Sequence, residues 1–309
     1  MHWGQIKTLL ILSFFVLDVY LFMQFMDKKE EADIAILEEQ TSTIEDQLKS
    51  EDISVENLPK EDDEETYISV KQENFEEDDL EDESLENKQD PTIYKYNLIA
   101  SKLDKPIKIK ENASTDTLTE ILEETVFYPE EYTFWNWNRD ANIIIFFQNK
   151  MDRPVYYNQN GIVLFYLNDD NEVEYYTQTM LGEEEEVSEK QSLIDPMHAI
   201  EELYDNNELK EGDTVSDVKV GYHTRVPFES GVQVFAPIWK INVNDENDYF
   251  INAIEGFTFS SDEEEFLYDV LDGNLDQMKG KRKKDSATKD IVKDMEKRLE
   301  TMDKEEVDE

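Results

Sequence analysis

The chain has 309 residues, with 76 acidic against 30 basic side chains, a formal net charge of −46 and no cysteine. That balance excludes a nucleic-acid reader, which needs lysine and arginine clusters against phosphate, and the missing thiols exclude disulfides and thiolate catalysis. Such a charge keeps a domain soluble in salty or alkaline surroundings but says little about its fold.

Residues 6–26, "IKTLLILSFFVLDVYLFMQFM", predict a helix of about 31 Å at about 1.5 Å per residue, long enough to cross a bilayer. Its thirteen Leu, Ile, Phe and Val residues contribute roughly 4 to 8 kcal/mol to insertion, against about 2.5 to 3.5 for the one central aspartate, Asp18. The helix still inserts. A cleaved signal peptide would have a shorter apolar run and a small-x-small site, which the following "MDKKEEAD" lacks, so an uncleaved anchor is expected. An acid in lipid either makes a helix-helix contact or stays protonated without a partner, and the residues leave both open. Lys7 and the terminal amine on one side are matched by Lys28 and Lys29 on the other, so charge alone does not orient the span.

After the anchor, Ile34, Leu37, Thr41, Ile44 and Leu48 follow the 3-4-3-4 spacing of one helix side. Two readings fit: a stalk that pairs with a partner's stalk, or a solvated neck. Residues 27–90 carry 26 acidic and 6 basic side chains, broken by the strand-like "YISV" at 67–70. From Tyr94 the composition changes. "YKYNLIASKL" predicts a strand, and "STDTLTEILEETVF" a helix capped by Ser114 or Thr115. The runs "ANIIIFF", "GIVLFYL" and "EVEYYTQTML", separated by turn-rich "NKMDRPVYYNQN" and "NDDN", predict a meander behind that helix. "GEEEEVSEKQ" at 182–191 reads as an interdomain joint.

The second half repeats the order. In "DPMHAIEELYDNNELKEG" Asp195 can cap, Pro196 fits the first helical position, and Ile200, Leu203 and Tyr204 form an apolar stripe. Strands "VSDVKVGYHT", "VQVFAPIWKINV" and "YFINAI" follow, with Pro237 predicting an edge or bulge. Beyond Phe259 the chain turns polar. "KGKRKK" at 279–284 reads as a solvated charge run or a contact for anionic polymer or lipid, and Ile291, Met295, Leu299 and Met302 share one side of a loose helix in a charged tail.

The expected fold class is α+β, with a single N-terminal transmembrane helix and an ectodomain of two helix-plus-antiparallel-sheet units. The expected boundaries are 1–27 for the anchor, 28–66 for the acidic stalk, 67–186 and 187–260 for the two units, and 261–309 for the tail.

No catalytic set assembles: there is no Gly-rich phosphate loop, GxSxG or HExxH, and His2, His198 and His223 are scattered. "NDDNE" and "NDEND" do not continue with calcium-loop spacing and are explained as hairpin turns. The aromatic "YTFWNWNRD" reads as sheet core before binding surface. The expectation is no enzyme, no cofactor and no metal.

Several stretches taken together resemble one family. The opening "MHWGQIKTLLILSFFVLDVYLFMQF", with Trp3, Lys7 and Asp18, looks like the anchor of the YycI proteins, regulators of the WalK (YycG) sensor histidine kinase in low-GC Gram-positive bacteria. "LPKEDDEETYISVKQENF", "DPMHAIEELYDNNELKEG" and "FAPIWKINVNDENDYFINAIEG" match in the same order, the last being similar to the end of a PepSY-like unit. The resemblance covers roughly residues 1–260; the longer tail and the extreme acidity depart from it. It implies a cytoplasmic N-terminus, one span in the cell membrane and an extracytoplasmic ectodomain whose second unit is PepSY-like. It also implies a WalK-like kinase and a YycH-like anchored protein as partners, the latter as a heterodimer, in control of cell-wall metabolism. Under this reading Trp3, Lys7, Phe14, Asp18, Phe22 and Phe25 are the membrane and partner contacts, and Ile34, Leu37, Ile44 and Leu48 the stalk pairing. The competing class is a membrane-tethered extracellular binding module, in which the PepSY-like unit captures a wall ligand or inhibits a peptidase.

Overall fold

A strand that is apolar at every position needs cover on both faces of its sheet, and "IIIFF" and "IVLFYL" are such strands. In the computed structural model both faces are covered. It describes Leu12, Phe14, Phe15, Leu17 and Tyr20 and residues 44–59, 64–80, 85, 88–227, 231–259, 262–280 and 286–308. Among the described residues beyond Tyr20 there are five α-helical segments: α1 (44–50), α2 (Thr115–Glu123), α3 (Pro196–Asp205), α4 (Glu263–Lys279) and α5 (Ser286–Asp308). The strands run β1 (Ser54–Val55), β2 (Glu64–Glu65), β3 (Ile68–Gln72), β4 (Gln89–Tyr94), β5 (Leu98–Lys108), β6 (Tyr132–Asn138), β7 (Ile143–Lys150) and β8 (Arg153–Tyr156). They continue with β9 (Ile162–Leu167), β10 (Glu172–Gln178), β11 (Leu181–Glu186), β12 (Gln191–Ser192), β13 (Thr214–Pro227), β14 (Val232–Val243), β15 (Asn247–Asn252) and β16 (Thr258–Phe259). The fold is α+β and rich in sheet.

One antiparallel sheet is ordered β4-β5-β10-β9-β7-β6. Alternate residues of its strands enter two cores. Ile144, Phe146, Val163 and Phe165 meet Leu118 and Leu122 of α2, which Ser114 caps. Ile143, Ile145, Phe147, Ile162, Leu164 and Tyr166 meet Leu267, Leu271 and Met278 of α4 and Ile291, Met295 and Leu299 of α5. Helices α4 and α5, within the segment 261–309 expected as a charged tail, thus form the second cover of the first sheet. The physical reason lies in the strands: without the hairpin the side chains on that face would meet water.

The second sheet has β13 against β14, with β3 and β15 lying end to end along the other side of β14, β11 beyond β3 and β16 beyond β15. Short β8 joins the sheets, antiparallel to β7 and parallel to β13. The units expected in succession are therefore interleaved: "YISV" pairs with the second sheet, and "GEEEE", expected as a joint, is the strand β11 beside it. "YKYNLIASKL" likewise divides into the end of β4, a tight turn with positive φ at Lys95 and Tyr96, and β5.

Pro237 sits in a central strand, contrary to the expected edge or bulge, and its register with Tyr222 is regular. Its C=O accepts from Ala253 N on the β15 side (2.9 Å), and a strand residue's N–H and C=O point the same way. The absent N–H thus faces the gap where β14 changes partner from β3 to β15. The loops behave as turn chemistry dictates: Asn168 Oδ1 accepts from Asp170 N and Glu172 N at "NDDN", and Asn244 and Asp245 take positive φ at "NDEND". On α3, Asp195 accepts from Met197 N and Pro196 opens the helix.

Candidate functional surfaces

The N-terminal segment is the first candidate. Its described residues Leu12, Phe14, Phe15, Leu17 and Tyr20 are helical and 47–67% exposed. Large apolar side chains this open on one helix lack cover from the rest of the chain. Trp3, Lys7, Asp18, Phe22 and Phe25 lie outside the described residues, as do Ile34 and Leu37. Among the described residues no helix is long and apolar enough to cross a membrane.

Ile44 and Leu48, expected on a stalk, are placed otherwise. They are 1% and 2% exposed and pack with Ile200 and Leu203 of α3 and Val215, Trp239 and Ile241 of the second sheet. Their apolar side is occupied within the chain because α1 and α3 share one face of that sheet. The helical spacing is real, but the surface it meets is intramolecular.

From α1 the chain is fastened to the body in two steps. First, β1 runs parallel to β13, with Ser54 opposite Thr214, and Asn57 Nδ2 donates to Ser216 O at 3.0 Å. Second, Glu65 on β2 is 5% exposed and held from two elements: Arg153 Nη2 of β8 lies 2.5 Å from Oε1, and Tyr222 OH of β13 donates to Oε2 at 3.1 Å. Burial first, and then the Glu65 charge, push the Tyr222 phenol well above its ordinary range, so it stays a donor. This clamp ties the neck to β8, the strand that joins the sheets. Sequence reading misses it, because one glutamate in an acidic run carries no signal of its own.

Of the remaining candidates, His198 lies on α3 and His223 on β13, and His2 lies outside the described residues. His198 Nδ1 lies 3.0 Å from Glu201 Oε2 on the same helix. His223 is half-buried and stacks on Phe259 (centroids 4.6 Å apart), with its pKa lowered by desolvation. Among the described residues no three His, Asp or Glu side chains converge to hold a metal. The β6 aromatics are core: Trp137 is buried, Phe134 packs on Phe146, and Trp135 meets Phe147, Tyr156, Tyr157 and Phe250.

Comparison with known proteins gives one family. A family model described as YycI protein matches residues 31–254. No curated protein matches. Among solved structures, an uncharacterized protein from Eubacterium rectale ATCC 33656 is 11% identical at a TM-score of 0.42, over 68% of this chain and 89% of that one. YycH from Bacillus subtilis is 12% identical at 0.34, over 61% of this chain and 52% of that one.

Proposed function

This chain belongs to the YycI family, regulatory accessory proteins of the YycG/WalK system that are membrane-associated and are not enzymes, and from that premise we propose how it acts. Residues 1–27 anchor it as a single span with the N-terminus in the cytoplasm, and the α+β body stands outside the cell. The span packs against the membrane helices of a WalK-like sensor histidine kinase, and the ectodomain pairs with a YycH-like anchored protein. The family match carries the reading, and the exposed apolar side chains of Leu12, Phe14, Phe15 and Leu17 support it.

A kinase signals through small shifts of packed helices, and a third helix biases that equilibrium only by packing differently on its two states. One hydrogen bond in the membrane is worth about 0.6 to 2 kcal/mol. That changes a population ratio roughly threefold to thirtyfold, enough to tune output. Asp18 is assigned this bond, with Trp3, Lys7, Phe14, Phe22 and Phe25 around it. The Glu65 clamp then couples the neck to the body, so that partner binding outside sets when the contact inside occurs.

The test is Asp18→Leu, with insertion of the anchor verified. Kinase output and co-purification with the kinase are both expected to fall, and no change in either removes Asp18 from the mechanism. Exchanging the whole anchor for an unrelated span is expected to abolish regulation. Persistence of regulation would favour a tethered extracellular binding module.

A further inference from the structure

Strands β7 and β8 are joined by two residues, Met151 and Asp152, since Lys150 pairs with Arg153 and Asn149 with Pro154. Both take positive φ, 50° and 60°. A two-residue turn of this kind favours Asn-Gly, so a methionine there is backbone strain that turn chemistry does not explain. Its sulfur has a specific contact instead: the Tyr222 hydroxyl lies 3.6 Å from Met151 Sδ and 3.1 Å from Glu65 Oε2. Met151 is half-buried and packs on the cluster of Ile68, Val70, Val155, Leu181, Tyr222 and Phe235.

A phenol has one proton to give, and the two acceptors beside Tyr222 are unequal. A carboxylate is the strong acceptor and a thioether the weak one, so Glu65 holds the proton and the clamp is closed. Oxidation of the sulfur changes that order, because a sulfoxide oxygen carries partial negative charge and turns an apolar side chain into a polar one. Beside Tyr222 it competes with Glu65 for the proton and sets an oxygen against apolar neighbours. Met180 and Met302 are also half-buried, but they pack on the two cores of the first sheet, away from the clamp. Met197, Met278 and Met295 are buried.

We propose that Met151 is an oxidation site through which a peroxide opens the Glu65 clamp. The sulfur lone pair attacks one peroxide oxygen, the S–O bond forms as the O–O bond breaks, and the other oxygen departs as water. Sulfur loses two electrons and the peroxide gains them. Tyr222 then donates to the sulfoxide oxygen, Glu65 is left to Arg153, and β2 and β3 loosen. Enzymatic reduction of the sulfoxide restores the thioether and recloses the clamp. The consequence for the kinase, release of the neck from the body, rests on the function proposed above; the opening of the clamp does not.

The experiment treats the full chain in detergent micelles with hydrogen peroxide and follows it by peptide mass spectrometry and amide hydrogen exchange. Met151 is expected to gain one oxygen, and exchange across residues 64–72 to quicken about tenfold, the equivalent of one hydrogen bond to a charged group. Methionine sulfoxide reductase is expected to reverse both changes. Met151→Leu keeps an apolar side chain without the sulfur, so peroxide is expected to leave its exchange at 64–72 unaltered. The double variant M180L/M302L removes the other half-buried thioethers of the described residues and is expected to respond as the parent does. Three results would each overturn the proposal: Met151 staying a thioether at a dose that oxidises Met302, oxidised Met151 with unchanged exchange at 64–72, or the parent's peroxide response persisting in Met151→Leu. Should Met151→Leu fail to fold, loss of the response in M180L/M302L would overturn it equally.

Discussion

Replacing Leu271 of α4 or Met295 of α5 by alanine separates a solvated tail from a second cover of the sheet. Both side chains are 0% exposed and belong to the core that holds Ile143, Ile145, Phe147 and Leu164. Truncating a buried Leu or Met costs about 2 to 5 kcal/mol, the transfer term plus the cavity left behind. An exposed substitution such as Lys293→Ala on the other side of α5 stays within about 0.5 kcal/mol. With a urea dependence of about 3 kcal/mol per molar, a loss of about 3 kcal/mol lowers the unfolding midpoint by roughly 1 M. Trp135 reports on this region, because its Nε1 donates to Glu263 at the start of α4 (2.9 Å). Indole fluorescence against urea therefore serves as the assay. Midpoints of Leu271→Ala and Met295→Ala that coincide with that of Lys293→Ala would refute the packing argument.

Glu65→Gln removes the charge that Arg153 faces in a site only 5% exposed. Breaking a buried pair costs about 3 to 5 kcal/mol, reduced here to about 1 to 3 because Arg153 keeps 27% of its side-chain surface in water. Faster amide exchange confined to residues 64–72 is the expected readout, and unaltered protection there would remove the clamp. Gly221→Ala places a Cβ 2.3 Å from Tyr156 Cε2 and 3.0 Å from Pro154 O, so the β8–β13 junction must shift, at about 1 to 3 kcal/mol. A thermal midpoint equal to the parent's would show that the junction yields freely. Burial lowers the His223 pKa below its ordinary 6.5, so the folded state holds this ring neutral. The associated stability is complete above the unfolded value and is lost as pH falls from there through the folded one. His223→Phe, which keeps the stack on Phe259, is expected to lose less stability than the parent between neutral and mildly acidic pH. An equal loss in both would exclude His223 as a contributor.

The Asp195 cap with Pro196, the Ser114 cap, the Asn- and Asp-rich hairpin turns and the apolar strands β7 and β9 are legible in the amino-acid sequence because they rest on interactions within a few residues. Helices α4 and α5 are not read correctly from it, though two signals for their packing are present. Strands with no polar alternation require two covers, and the first unit offers one helix. Ile291, Met295, Leu299 and Met302 show the periodicity of the other. Charge outweighs both, because acidic and basic side chains on the solvent face of α4 and α5 dominate their composition while their inward stripe does not.

By itself, the sequence settled that the apolar runs at β7, β9 and β14 form strands, where α2 and α3 begin, that the chain is a member of the YycI family and that residues 6–26 are apolar. Tertiary structure alone decided that Ile44 and Leu48 pack inward, that Glu65 meets Arg153 and Tyr222, and that a hairpin beginning some 80 residues beyond Gln178 closes the first sheet. The division follows the range of the forces. Capping, turn strain and alternation act between near neighbours, whereas the partner of an apolar stripe or a buried charge is set by which distant surface is left to be covered.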